Sequence, residues 1–201
     1  MAKKLIIGHR GGMALAKENT MAAFRNAVAL GLDMIELDIR KNKNGIMVAN
    51  HDETISPEAP LFEEVLAYTQ NKIKLDVELK EEGYEKEAVE LILRYFEKND
   101  FVITSFNDAT VRAIKKLFPE LRVGLILNEE KNSKEIKELG VDFLALHWKL
   151  LKPDFLNRGL FVWTVNDEKM LKRLLLDKRV AGIITDQPDL ALKIRKNLPF
   201  S

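Results

Sequence analysis

The chain has 201 residues, 46% of them hydrophobic, with 32 Lys and Arg against 31 Asp and Glu for a net charge of +1. A single domain over residues 1–201 with a substantial core is expected, and the even charge gives no electrostatic ground for a nucleic-acid or anionic-membrane partner. There is no cysteine, which excludes disulfides, thiolate metal sites and cysteine nucleophiles. Met1-Ala2-Lys3-Lys4 runs straight into a short apolar strand, without the apolar stretch of a secretory signal, and no run approaches the roughly 20 apolar residues of a membrane span. A cytoplasmic protein with no integral membrane association is the expectation.

Short apolar runs at residues 5–9, 34–39, 73–79, 101–106, 122–127, 142–147, 160–165 and 180–185 read as strands. Helical patterns lie between them at 20–30, 62–69, 84–98, 109–118, 133–139, 168–176 and 190–196, while the segment 152–158 is too short to read. Strands alternating with helices specify a parallel α/β fold. A ninth strand-like run, 46–51, follows residue 39 after Lys41-Asn42-Lys43-Asn44-Gly45, and Asn-Gly there is a strong hairpin signal. A strand returning after so few residues is antiparallel, so it forms an arm outside the parallel set. If it pairs on a residue sum of 87, His51 lies opposite Glu36. The eight remaining βα units in about 200 residues predict a (β/α)8 TIM barrel at the low end of its size range. An open doubly wound sheet is the alternative, but no G-x-G-x-x-G turn follows a strand.

Barrel chemistry sits at the C-terminal ends of the strands. In Met34-Ile35-Glu36-Leu37-Asp38-Ile39 the apolar residues take one face and Glu36 and Asp38 the other. Lys74-Leu75-Asp76-Val77-Glu78-Leu79-Lys80 repeats the pattern. Ionised carboxylates brought together away from water cost several kcal/mol each unless a cation lies between them. Glu36, Asp38 and Glu78 offer only oxygen ligands, which suit a hard divalent cation, Mg²⁺ or Ca²⁺. A metal-free network with Lys80 and Arg10 is the competing arrangement. His9 and His51, two of three histidines in the chain, each end a strand and suit acid–base work flanking a metal. Arg10 and Lys80 suit phosphate oxygens. Trp163 and Phe106 could wall an apolar side, and His147 reads as structural. Asn19 or Thr20 is expected to cap the first helix rather than touch substrate. Together these residues point to metal-assisted phosphoryl transfer or hydrolysis.

His9-Arg10-Gly11, Glu18-Asn19-Thr20, Glu36-Leu37-Asp38, Gly45, His51-Asp52, Glu78-Leu79-Lys80, Trp163-Thr164-Val165-Asn166 and Thr185-Asp186-Gln187-Pro188 occur in that order along nearly the whole chain. The ordered set resembles the glycerophosphodiester phosphodiesterases. The resemblance implies a (β/α)8 barrel that hydrolyses glycerophosphodiesters to glycerol 3-phosphate and an alcohol. It implies a divalent metal (Mg²⁺ or Ca²⁺, with Mn²⁺ possible) on Glu36, Asp38 and Glu78, with His9 and His51 as acid and base. It further implies phosphate binding by Arg10 and Lys80, and Trp163 on the glycerol side. The chain departs from the family pattern at Lys17, which replaces a proline, and in the insertion before the third barrel strand, which is cut to residues 53–60. The shortened wall leaves two other readings open: lysophospholipase D-like hydrolysis of lysophospholipids, or a barrel that binds a phosphorylated ligand without turnover.

Overall fold

The computed structural model describes residues 3–151 and 159–198; the segment 152–158 lies outside them. Nine strands form one sheet: β1 (Leu5–Gly8), β2 (Met34–Lys41), β3 (Met47–Ala49), β4 (Lys74–Leu79), β5 (Phe101–Ser105), β6 (Val123–Leu127), β7 (Phe143–His147), β8 (Leu160–Trp163) and β9 (Val180–Thr185). Their order is β1-β9-β8-β7-β6-β5-β4-β2-β3, and a further β1–β2 pairing joins the ends. Without β3, eight parallel strands close into a barrel, as the alternation of elements requires.

Helices α1 (Met21–Leu30), α2 (Phe62–Thr69), α3 (Glu85–Ile92), α4 (Asp108–Leu117), α5 (Ser133–Leu139), α6 (Glu168–Leu176) and α7 (Pro188–Asn197) lie between the strands. Helix α3 ends well short of the expected residue 98. After Ile92 the turn tightens, with Arg94 N–H donating to Leu91 O and Tyr95 N–H to Ile92 O. These shorter bonds satisfy carbonyls at the helix end and let Phe96 turn into the core.

Strand alternation produces two cores. Outward residues such as Ile35, Leu37, Ile39, Leu75, Val77 and Leu79 pack under the helices. Inward residues Ile7, Met34, Val102, Ile126, Phe143 and Phe161 plug the barrel, with the Phe143 and Phe161 rings 4.6 Å apart. Gly124 makes room for the plug, since a Cβ there would lie 2.5 Å from the Phe143 ring.

Strand β3 runs antiparallel to β2, as the turn predicts, but one residue out of the expected register. Ile39 faces Ala49, Arg40 faces Val48 and Lys41 faces Met47. The turn explains the slip. Asn42 N–H donates to Ile46 O at 2.9 Å, and Gly45 takes the left-handed conformation at φ 76°. The connection is a three-residue loop with glycine in its last position, which sets the sum at 88. A one-residue slip turns every side chain to the other face, so strand pairing does not place His51 opposite Glu36. The chain leaves the strand after Ala49, and the following turn brings His51 to the same cavity as Glu36.

Candidate active site

Glu36 and Asp38 on β2 pair in register with Asp76 and Glu78 on β4, so four acids form a square on two adjacent staves of the barrel interior. All four are buried. Glu36, Asp38 and Glu78 each present an oxygen within 4.8 Å of the others. Burial first, and then repulsion from Asp38, Glu78 and Asp76, pushes Glu36 well above the ordinary carboxylate range. Burial and Asp38 raise Glu78 to about 7, against the pull of Lys80. Burial likewise raises Asp76 to about 7, against the hydrogen bond from Thr104. Asp38 differs: burial raises it, but Lys80, Arg10 and Asn19 outweigh that, and it lies below its ordinary value. Without a cation among them, the acids repel one another, and Glu36 bears most of that repulsion. The donor set fits a divalent ion, because all its ligands are hard oxygens and their repulsion is what such an ion removes.

Two cations border the square. Lys80 Nζ lies 2.5 Å from Glu78 Oε1 and 3.2 Å from Asp38 Oδ1. Arg10 Nε lies 3.1 Å from Asp38 Oδ2, and its Nη1 donates to Glu18 Oε2 at 2.8 Å. Arg10 N–H donates to Glu36 Oε2 at 2.8 Å. Arg10 adopts the left-handed conformation at φ 51°, which is unusual for a long side chain and costs of the order of 1–3 kcal/mol. In this conformation both its amide and its guanidinium serve the acids. Next to it, Gly11 at φ 92° passes so close to α1 that a Cβ would meet Ala23 at 2.7 Å.

The Glu18-Asn19-Thr20 stretch does three separate jobs. Thr20 is the cap, its hydroxyl accepting from Ala23 N–H at 3.3 Å. Asn19 is not a cap: its Nδ2 donates to Asp38 Oδ2 at 2.8 Å and its Oδ1 accepts from Asp38 N–H at 3.3 Å. Glu18 holds Arg10.

Both histidines lean on carboxylates. His9 Nδ1 is 2.7 Å from Asp186 Oδ1, and His51 Nδ1 is 2.8 Å from Asp52 Oδ1. Burial raises Asp186, but hydrogen bonds from His9 and Asn166 outweigh it, so Asp186 is ionised at neutral pH. Asp52 is also held low, chiefly by its hydrogen bond to His51. An ionised carboxylate only accepts, so Nδ1 donates in each pair and Nε2 is the nitrogen left for chemistry. Asn166 Nδ2 donates to Asp186 Oδ2 at 2.6 Å, while its Oδ1 accepts from Asp186 N–H and the Thr185 hydroxyl.

A cavity of about 220 Å³ collects these groups: His9, Arg10, Glu36, His51, Glu78 and Lys80 line it, with Asp76, Thr104, Phe106, Ile126, Ala145, Trp163 and Ile184. Every residue predicted for the site reaches it directly except Asp38, which contacts Arg10 and Lys80 just behind. Trp163 Nε1 donates to Ala145 O at 3.0 Å, and its ring meets Phe106 and His147 edge-on at 5.6 and 5.4 Å. The shortened loop stays away from the cavity. Asn50 gathers it, donating to Asp52 O and Thr54 O and accepting from Ser56 N–H.

Residues 9–61 and 56–190 match the model of the glycerophosphoryl diester phosphodiesterase family, the two segments meeting in the shortened loop. A glycerophosphodiester phosphodiesterase of Caldanaerobacter subterraneus subsp. tengcongensis is 27% identical over 96% of this chain and 98% of its own length. A human lysophospholipase D is 23% identical over 90% of this chain and 83% of its own. Among solved structures, an Oleispira antarctica phosphodiesterase in complex with the product sn-glycerol-3-phosphate superposes with a TM-score of 0.87 at 20% identity, covering 96% of this chain and 97% of that one. The family model spans nearly the whole barrel, and this chain belongs to the glycerophosphoryl diester phosphodiesterase family.

Proposed function

We propose that the chain hydrolyses glycerophosphodiesters to glycerol 3-phosphate and an alcohol, in a metal-dependent reaction with His9 and His51 as the acid–base pair. The observation that carries this reading is that two imidazoles, each with Nδ1 fixed on a carboxylate, line one cavity with the acid cluster. A divalent cation on Glu36, Asp38 and Glu78 (Mg²⁺ or Ca²⁺, with Mn²⁺ also compatible with oxygen ligands) supplies Lewis-acid polarisation of the phosphoryl group. Arg10 and Lys80 hold phosphate oxygens and balance their charge. One histidine removes a proton at Nε2 from the attacking oxygen, and the other gives a proton from Nε2 to the leaving alcohol oxygen. Trp163 packs against the carbon side of the glycerol. A product complex in the Oleispira relative supports glycerol 3-phosphate as the retained half. The reading takes residues 1–201 as one catalytic domain acting in the cytoplasm on a small molecule; no helix among the described residues is long and apolar enough to cross a membrane.

Chelated protein reloaded with each divalent ion and offered a panel of phosphodiesters tests the reading, with enzymatic detection of glycerol 3-phosphate. Failure to release it from any glycerophosphodiester with any ion rejects the reading. The loop 53–60 contributes nothing to the cavity wall, which favours a second substrate class, lysophospholipids, whose acyl chain needs an open rim. Choline release from glycerophosphocholine compared with its acylated analogue separates the two.

A further inference from the structure

We propose that Asp76 is a fourth carboxylate of the metal site: it does not ligate the ion, but takes a hydrogen bond from water in the ion's coordination sphere and supplies charge that favours a divalent cation. The inference rests on the metal reading of Glu36, Asp38 and Glu78 given above.

Asp76 faces the barrel interior opposite Glu36 in register and two residues before Glu78. It is 1% exposed, as is Thr104. The Thr104 hydroxyl donates to Asp76 Oδ1 at 2.7 Å, whereas Oδ2 has no hydrogen-bond partner among the described residues. A buried carboxylate oxygen left unpaired is costly. Asp76 also borders the plug, where its strand neighbour Val102 is apolar. A hydrophobic side chain would suit that position better if packing alone governed it. Yet Asp76 lines the same cavity as Glu36 and Glu78. Thr104 fixes one oxygen and leaves the other for the contents of that cavity. Carboxylates behind a ligand shell orient the shell and raise metal affinity in this way.

The charges point the same way. Four buried acids, Glu36, Asp38, Asp76 and Glu78, meet two cations in contact with them, Arg10 and Lys80. Arg10 is shared with Glu18, so the acids outnumber the cations beside them and the excess negative charge favours a divalent ion.

Calorimetric titration of Mg²⁺, Ca²⁺ and Mn²⁺ into chelator-treated protein, without substrate, tests the proposal. Asp76→Asn, which keeps the shape, is expected to weaken ion binding by about 10–100-fold while the chelated protein melts no lower than wild type. Thr104→Val keeps the charge but frees its orientation, and is expected to give a smaller loss in the same direction. Wild-type affinity in Asp76→Asn overturns the proposal, as does a lower melting temperature with unchanged affinity. If Asp76→Asn does not fold, wild-type affinity in Thr104→Val overturns it instead. Glu36→Gln serves as the control. Loss of binding in Glu36→Gln with none in Asp76→Asn refutes only the role of Asp76, whereas a wild-type protein that binds no divalent ion refutes the metal site itself.

Discussion

Asp186 and Asp52 do the same work for two histidines, one from 177 positions away and the other as its immediate neighbour. Replacing His9 or His51 with alanine is expected to lower kcat by about 10²–10⁴-fold each, with unchanged circular dichroism as the check on folding. Asp186→Asn keeps the shape but no longer fixes the His9 tautomer; a smaller fall in kcat with KM little changed is expected. The acids also make a prediction about pH. Asp76 and Glu78 titrate at about 7 in the folded, metal-free chain, against roughly 4 when unfolded. The folded state then holds more protons between those values, so its stability falls as pH rises from about 4 to about 7. A fall of at least several degrees in melting temperature across that window is expected. Asp33, Asp38 and Asp186 are shifted downward, so the stability they add is constant across that window and is lost only as pH falls below about 4. Melting scans of chelated protein from pH 5 to 8 check the slope, and a saturating divalent ion should flatten it. Alternation and strand ends singled out Glu36, Asp38, Glu78 and His9, and the structure gathers the three acids within 4.8 Å of one another. His51 was singled out by a hairpin register that is one residue off, yet it reaches the same cavity through the turn after β3. Asp186 was visible at a strand end, but its pairing with His9 depends on β9 lying beside β1, which only barrel closure supplies. Glu18 stood out only as part of the Glu18-Asn19-Thr20 motif; its role was not legible, because nothing local distinguishes an acid that holds an arginine from a solvated one.

The arm formed by β3 and the loop after it is the element that delivers His51. Arg40 on β2 donates from Nε to His51 O at 2.8 Å and pairs with Glu81. Arg40→Ala is expected to loosen His51 without unfolding the barrel, lowering kcat roughly 10–100-fold because small misplacements of reacting groups are costly. Steady-state kinetics read the effect as a change in kcat with KM close to wild type. A fall in KM-dependent terms alone would show that the arm binds substrate instead. The hairpin also shows where sequence reading stops. Asn-Gly announced the turn, but a two-residue and a three-residue loop share that signature and differ by one in register. The hydrogen bond from Asn42 to Ile46 decides between them, and no single residue encodes it. Helix α3 is a second case: its apolar spacing continues past Ile92, while the tightened turn that buries Phe96 answers to tertiary packing.

At the scale of the whole molecule, the alternation of eight strands with helices was enough to predict the barrel, because parallel strands in such a chain have few other ways to cover both faces. The interior plug was less legible, since an inward glycine gains meaning only from the ring opposite it. Gly124→Ala is expected to cost about 1–3 kcal/mol by pressing on Phe143, a drop of several degrees in melting temperature, with residual activity per folded molecule near wild type. Denaturant titration alongside activity assays checks both halves of that statement.

The contact between His9 and Asp186 spans the seam where β9 meets β1, with Gly8 opposite Thr185. The two partners lie 177 positions apart along the chain. Nothing near His9 in sequence can anchor its ring; the anchor comes from the strand that completes the circle. Any partly assembled barrel lacking β9 therefore leaves the imidazole unmoored, and orientation of that ring is a by-product of closing the circle.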